Sequence, residues 1–374
     1  MRKICYITGT RADFGLMQST LDLINQGADF ELMLLVTGMH LLEQYGNTVQ
    51  DIEASGLRIA ARIPVPASAY GSAMARNIAT MIGKFVDALE HEKPDMVLLL
   101  GDRGEMLAGA IAAIHLNVPV VHIHGGERSG TVDEPVRHAI SKLSHLHFTA
   151  TEDARLRLIH MGERPEHVHT VGAPGLDGLR ELATLSRESL LCDAGLDPAR
   201  PFALLVHHPV LQEADHAGDA TTAIIRAVRA KRLQIVALRP NSDAGNENIR
   251  AVLDNIDSPD VCVFTHFSRP RFVSWMAAAD LMIGNSSAGI IEAATFGTPV
   301  VNIGSRQHLR ERNANTTDVD ASAPALDAAI SAALSRGRIA PFNIYGDGHS
   351  GPRIVDLLRN AKLDAALLAK SNAY

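Results

Sequence analysis

Pro94-Asp-Met-Val-Leu-Leu-Leu-Gly-Asp-Arg103, answered downstream by Pro119-Val-Val-His-Ile-His-Gly-Gly-Glu127, decides the fold. In each stretch a short apolar run stops at glycine and charged residues, and an amphipathic segment separates the two. That alternation is the pattern of a parallel sheet flanked by helices. It continues outward through apolar runs at 4–7 and 32–36 on one side and 146–149 and 167–171 on the other. Between them, Ile78, Ile82, Phe85 and Leu89 recur at helical spacing, and Pro94 separates that helix from the next strand. One doubly wound unit therefore ends near Val171.

A polar segment without strand character follows Gly172-Ala-Pro-Gly175, and a second series of apolar runs occupies 202–206, 233–238, 261–264, 281–283 and 299–303. The expected architecture is α/β, with two Rossmann-like doubly wound domains at 1–173 and 174–350 and a cleft between them. A helix-compatible stretch at 353–368 is expected to pack back on the N-terminal domain. The 374 residues suit two such units, at roughly 100–200 residues per domain.

Composition removes several function classes. Lys+Arg 35 against Asp+Glu 42 gives a formal charge of -7, which disfavours a nucleic-acid binder because phosphate backbones call for a basic face. Aromatic residues are 4%, too few for base-stacking platforms. No apolar run approaches the roughly 20 residues of a membrane span, and the apolar stretch before Thr8 is too short for a secretory core. Cys5, Cys192 and Cys262 form no CxxC pair, so a disulfide framework and a thiolate zinc site both lack support, and a reducing cytoplasm is expected.

Open parallel sheets bind ligands beyond the carboxyl ends of their strands. The polar residues there are Thr8-Gly-Thr-Arg11, Gly101-Asp-Arg103, His122-Ile-His-Gly-Gly-Glu127, His207-His-Pro209, Arg239-Pro-Asn-Ser-Asp243, Thr265-His266, Gly284-Asn-Ser-Ser287 and Gly304-Ser-Arg-Gln307. Neither GxGxxG after a strand nor GxxxxGK[ST] occurs, which argues against a dinucleotide or a P-loop. The small residues of Asn285-Ser-Ser-Ala-Gly289 suit a diphosphate, with Arg11, Arg103 and Arg306 adding charge-assisted contacts, although the same sequence also reads as a plain helix cap. Asp102, Glu105, Glu127, Asp133 and Glu134 form a carboxylate constellation, and Asp133 also reads as a helix N-cap ahead of Pro135. Gly125-Gly126 lets the backbone bring Glu127 tight against a ligand. His122 and His124 alternate on a strand, yet no further ligands stand at metal-binding spacing, so no metal is expected.

Together, Thr8-Gly-Thr-Arg-Ala-Asp-Phe-Gly15, Val36-Thr-Gly-Met-His40, Tyr45-Gly-Asn-Thr48, Gly101-Asp-Arg103, His122-Ile-His-Gly-Gly-Glu127, Arg137-His138, His208-Pro209, Pro240-Asn-Ser-Asp-Ala-Gly245, Gly284-Asn-Ser-Ser287 and Gly297-Thr-Pro-Val-Val-Asn-Ile-Gly304 resemble the hydrolysing UDP-N-acetylglucosamine 2-epimerases, from Arg2 to about Arg359. Those enzymes supply N-acetylmannosamine or its 2,4-diacetamido analogue to sialic and legionaminic acid synthesis. The resemblance implies a glycosyltransferase-B-like fold with a nucleotide-sugar substrate between the domains, no cofactor, and a homo-oligomer, dimer or tetramer. It implies catalytic roles for Asp102, Glu127, Asp133 and His208, with Glu134 counted beside them. Arg11, Arg103, Asn241, His266, Ser286, Ser287, Glu292 and Arg306 fall at nucleotide-binding positions. Arg11-Ala-Asp13 stands where the non-hydrolysing branch has Arg-Pro-Glu, which favours hydrolysis.

The implied reaction is anti elimination of UDP to a 2-acetamidoglycal, then hydration to N-acetylmannosamine. The same reaction on a UDP- or GDP-linked 2,4-diacetamido-2,4,6-trideoxyglucose is the alternative. Further rivals are a non-hydrolysing epimerase, a glycosyltransferase of the same fold, and a nucleotide-sugar sensor. Clustered carboxylates after successive strands fit proton abstraction better than docking of an acceptor.

Overall fold

Apolar runs become buried parallel strands throughout. The computed structural model describes residues 1–67, 70–241 and 243–373. The first sheet contains β1 (Arg2–Thr8), β2 (Phe30–Thr37), β3 (Ile59–Ile63), β4 (Met96–Leu100), β5 (Val120–Ile123), β6 (Leu146–Thr149) and β7 (Val168–Thr170) in the order β3-β2-β1-β4-β5-β6-β7. The second contains β8 (Phe202–Val206), β9 (Gln234–Leu238), β10 (Val261–Phe264), β11 (Leu281–Gly284), β12 (Val300–Ile303) and β13 (Thr316–Val319) in the order β10-β9-β8-β11-β12-β13. Every pairing is parallel. Strand order reverses between β1 and β4 and again between β8 and β11, and at such switch points a crevice opens beyond the strand ends.

Each sheet is covered on both faces. Ile4, Met17, Leu21 and Leu98 belong to one layer of the first sheet, and Ile7, Phe85, Leu99 and Ala110 to the other. The second sheet has matching layers around Ile224, Ile235 and Ile330 and around Leu204, Trp275 and Met282.

The C-terminal stretch departs from the single helix expected at 353–368. It forms a helix over Ser350–Asn360 and a short one over Ala365–Leu368, which Asp364 caps by accepting from the Leu367 N–H at 3.0 Å. Both pack on the first sheet's unit, where Ile354, Val355, Leu358 and Leu367 join the layer around Ile4 and Leu21. No helix among the described residues is long and apolar enough to cross a membrane.

Candidate active site

The two switch points face each other across a cavity of about 300 Å³. Arg11, Asp102, Arg103, His124 and Arg137 line it from the first unit, and His208, Asn241, His266, Ser286, Ser287, Arg306 and Arg310 from the second. Most of the sequence-predicted residues at strand ends are thus brought together; Glu127 and Asp133 are not in the lining, Glu127 being buried against the lining residues His124 and Arg310, and Asp133 lining an adjoining chamber. Ser242, inside the Pro240–Gly245 motif, lies outside the described residues.

Asp102 leaves β4 through Gly101, whose φ of +82° turns the chain away from the strand direction. Its carboxylate accepts from Arg137 Nη2 and lies 3.9 Å from Arg310 Nη2. Glu127 is placed by the glycine pair ahead of it. Gly126 has φ +78°, and a Cβ there would sit 2.3 Å from the Ala154 carbonyl oxygen, so only glycine lets the loop pass that close to the helix Glu152–His160. The Glu127 carboxylate pairs with His124 Nδ1 and Arg310 Nη1, while its backbone carbonyl accepts from Arg137 Nη1 at 3.1 Å. Arg310 therefore links the two carboxylates, and Arg137 ties Asp102, which is partly exposed, to the Glu127 backbone. Burial draws the Arg137 pKa down to about 9 and the His124 pKa down to about 3, leaving that imidazole neutral. Arg310 was not singled out in the sequence, although it stands four residues after Arg306, one helical turn's spacing.

Asp133 opens the helix Asp133–Leu143 rather than capping it; Val132 holds the cap position. That corrects the N-cap reading. Its carboxylate lies 4.0 Å from Arg306 Nη2 and its pKa is raised, first by burial, with Asp243 adding repulsion against the opposing pull of Arg306. Glu134, by contrast, accepts from the backbone N–H groups of Ser129 and Gly130 at 2.8 and 2.9 Å. This carboxylate braces its own loop, and it does not line the cavity.

His208 is fixed by β11. Gly284 passes β8 so closely that a Cβ would lie 2.1 Å from the Val206 oxygen, and the next residue, Asn285, clasps the histidine backbone. Its Oδ1 accepts from the His208 N–H at 2.7 Å and its Nδ2 donates to the His208 carbonyl at 2.8 Å. His208 Nδ1 accepts from the Asn241 N–H at 3.2 Å, which assigns the proton to Nε2. Burial, then Arg306, His207 and Arg103, push its pKa well below the ordinary value. A neutral imidazole with one N–H donor results.

The diphosphate-binding candidates differ in their commitments. Arg306 donates to the Asn285 carbonyl at 3.1 Å and Arg103 pairs with Glu105 at 3.3 Å and Asp243 at 3.5 Å. Arg11 pairs through Nε with Asp51 at 3.2 Å, and its buried Nη1 has no hydrogen-bond partner among the described residues. Ser286 caps a helix of only 5 residues, Ser287–Ile291, so its dipole is short and the arginines carry most of the positive potential. Glu292 is engaged by Arg269 and does not line the cavity. His122, weighed as a metal ligand, has both ring nitrogens occupied, by Ser141 Oγ at 3.0 Å and the Gly101 carbonyl at 2.7 Å. Among the described residues no group of three or more His, Cys, Asp or Glu is placed to hold a metal ion.

Comparison with known proteins identifies the family and the fold. The family model described as UDP-N-acetylglucosamine 2-epimerase matches residues 22–359. The chain is 51% identical over 376 residues to UDP-N,N'-diacetylbacillosamine 2-epimerase (hydrolyzing) of Legionella pneumophila, covering 100% of both proteins. It is 34% identical to UDP-N-acetylglucosamine 2-epimerase of Neisseria meningitidis serogroup B, covering 96% of each. A Neisseria meningitidis UDP-GlcNAc 2-epimerase solved bound to UDP-GlcNAc superposes with a TM-score of 0.80 at 19% identity, over 95% of this chain and 99% of that one. With its two parallel sheets in the glycosyltransferase-B-like arrangement, the family model matched over most of its length and a full-length relative at 51% identity, the chain belongs to the UDP-N-acetylglucosamine 2-epimerase family.

Proposed function

We propose that the protein is a hydrolysing 2-epimerase acting on UDP-N,N'-diacetylbacillosamine, the UDP derivative of 2,4-diacetamido-2,4,6-trideoxyglucose. The observation that carries the reaction is the Asp102–Glu127 pair, Asp102 lining the cavity and Glu127 buried, held by Arg137 and Arg310 beside further arginines. The choice of sugar rests on the full-length relative at 51% identity that carries that substrate in its name; the relative named for UDP-N-acetylglucosamine stands at 34%. UDP-N-acetylglucosamine, first in the sequence reading, becomes the second choice.

In an α-gluco nucleotide sugar the C1–O bond to diphosphate and the C2–H bond are both axial and antiparallel. One carboxylate of the Asp102–Glu127 pair takes the C2 proton as the C1–O bond breaks, giving a 2-acetamidoglycal and UDP. The C2 hydrogen is weakly acidic because no carbonyl flanks it, so departure of UDP needs strong electrostatic assistance. Arg11, Arg103 and Arg306 supply it, and the Nε2–H of His208 donates to the leaving phosphate. Water then adds at C1, and a proton returns to C2 on the face opposite the one it left, producing the manno sugar. Redox chemistry has no part in this sequence, and neither nicotinamide nor metal is required.

Proton NMR in deuterated water, with the UDP-sugar and no acceptor, tests the reading. Release of UDP together with 2,4-diacetamido-2,4,6-trideoxymannose deuterated at C2 is expected. Return of an epimerised sugar still joined to UDP would instead identify the non-hydrolysing reaction, and inertness without an acceptor would point to a transferase.

A further inference from the structure

Beside the main cavity lies a second chamber of about 230 Å³, and the two share Met39, Asp102 and Arg103. Leu42, Val65, Met74 and Ile78 of the first unit and Leu211 of the second wall it. Most of its polar groups are already committed, the exception being the Asp133 carboxylate, whose nearest cation, Arg306 Nη2, stands 4.0 Å away. Glu105 and Asp243 pair with Arg103, and Asn77 Nδ2 donates to the Pro66 carbonyl at 2.8 Å. None of Arg11, Asn241, His266 or Ser286 reaches it, so it opens off the carboxylate end of the cavity and away from the nucleotide residues.

We infer that this chamber receives the C4 acetamido and C6 methyl groups of the sugar and sets substrate choice. The inference rests on the substrate reading above and adds where in the structure that choice is made. Elimination requires C1 and C2 at the Asp102–Glu127 pair with the diphosphate toward the arginines. In a six-membered ring C4 lies across from C1, so the C4 and C5 substituents project away from the diphosphate, past Asp102. N-acetylglucosamine would present two hydroxyls to walls of methionine, leucine, valine and isoleucine, which offer no replacement for lost water hydrogen bonds. The 6-deoxy sugar presents a methyl group at C6 and, at C4, an acetyl methyl on an amide whose N–H has the Asp133 carboxylate as an acceptor in the chamber lining. Pockets of this kind discriminate by about 10- to 200-fold per methylene.

Met74 is partly exposed and Leu211 is 39% exposed, so polar replacements at these positions spare the core. The test measures kcat/KM of the wild type, Met74→Gln and Leu211→Gln with both UDP-sugars, and checks folding by the melting shift that UDP produces. The wild type is expected to favour the diacetamido sugar by about 10-fold or more, and each variant to reduce that ratio about 10-fold through KM for that substrate alone. An unchanged ratio, or an equal loss on both sugars, would overturn the assignment, the second by showing that the chamber holds the shared C2 acetamido group. Wild-type turnover confined to UDP-N-acetylglucosamine would overturn the substrate reading itself, an outcome visible before any variant is made.

Discussion

Glu127 keeps its carboxylate in a site only 4% exposed, where an ionised group persists through its partners, and one of those partners comes from the other domain. Removing Arg310 strands that charge. Arg310→Met is expected to cost about 3–5 kcal/mol in stability, the usual penalty for breaking a buried pair from one side, while Glu127→Gln/Arg310→Met recovers most of it. Urea unfolding of the wild type, both single variants and the double variant measures the coupling; simple additivity would deny the pair. Glu127→Gln alone is expected to abolish turnover and leave UDP affinity intact, read by calorimetry, and retained turnover would remove Glu127 from proton transfer. Such residues differ in how visible they are in sequence. Asp102, Glu127 and His208 follow apolar runs directly, so strand ends expose them to inspection. Arg310 sits in a loop six positions beyond the Gly304 turn, and only the approach of the two sheets gives it a role.

At the scale of elements, the turn from β1 into the helix Arg11–Gln26 shows local chemistry controlling a site wall. Thr10 and Asp13 form a reciprocal capping box, and the Asp13 carboxylate also accepts from the Gly9 N–H at 3.2 Å. Burial nevertheless raises the Asp13 pKa from 3.8 to about 6, overcoming the Thr8 and Thr10 hydrogen bonds that pull it down. Between those values the folded chain holds a proton that the unfolded chain has lost. This contribution is therefore fully present below about pH 3.8 and fades as pH rises through about 6, at up to about 1.4 kcal/mol per pH unit. Relative to Asp13→Asn, wild-type stability is expected to fall between pH 4 and 6 and then level off, as denaturant titrations at successive pH values would record. A constant difference would contradict the raised pKa. The central strands were legible for the same local reasons, since Met96–Leu100, Leu146–Thr149 and Phe202–Val206 are continuous buried runs. The edges were not. β3 (Ile-Ala-Ala-Arg-Ile) and β13 (Thr-Thr-Asp-Val) each pair on one side only and carry exposed polar residues, so the two-sided burial that makes a strand conspicuous is missing.

The whole molecule is tied by chain that crosses between its halves. After leaving the second sheet the backbone returns, and the N–H groups of Ser350 and Gly351 donate to Asp177 at 2.8 and 2.5 Å before Ile354 and Leu358 enter the first unit's core. Arg103–Asp243 and Arg310–Glu127 bridge the same division at the cavity. Units joined in this way are expected to melt as one, which Leu358→Ala tests. Leu358 is fully buried, so the cavity it leaves should cost about 2–5 kcal/mol, lowering the melting temperature in a single transition. Under the proposed function UDP occupies the cavity between the halves of the folded state, and at about 100 times its Kd it should return about 2.7 kcal/mol, offsetting much of that loss although Leu358 lies outside the cavity lining. Scanning calorimetry with and without UDP decides the point. Two transitions, with UDP raising only the one that Leu358→Ala leaves unmoved, would mean that the halves fold independently and that the returning C-terminal helices serve the first unit alone.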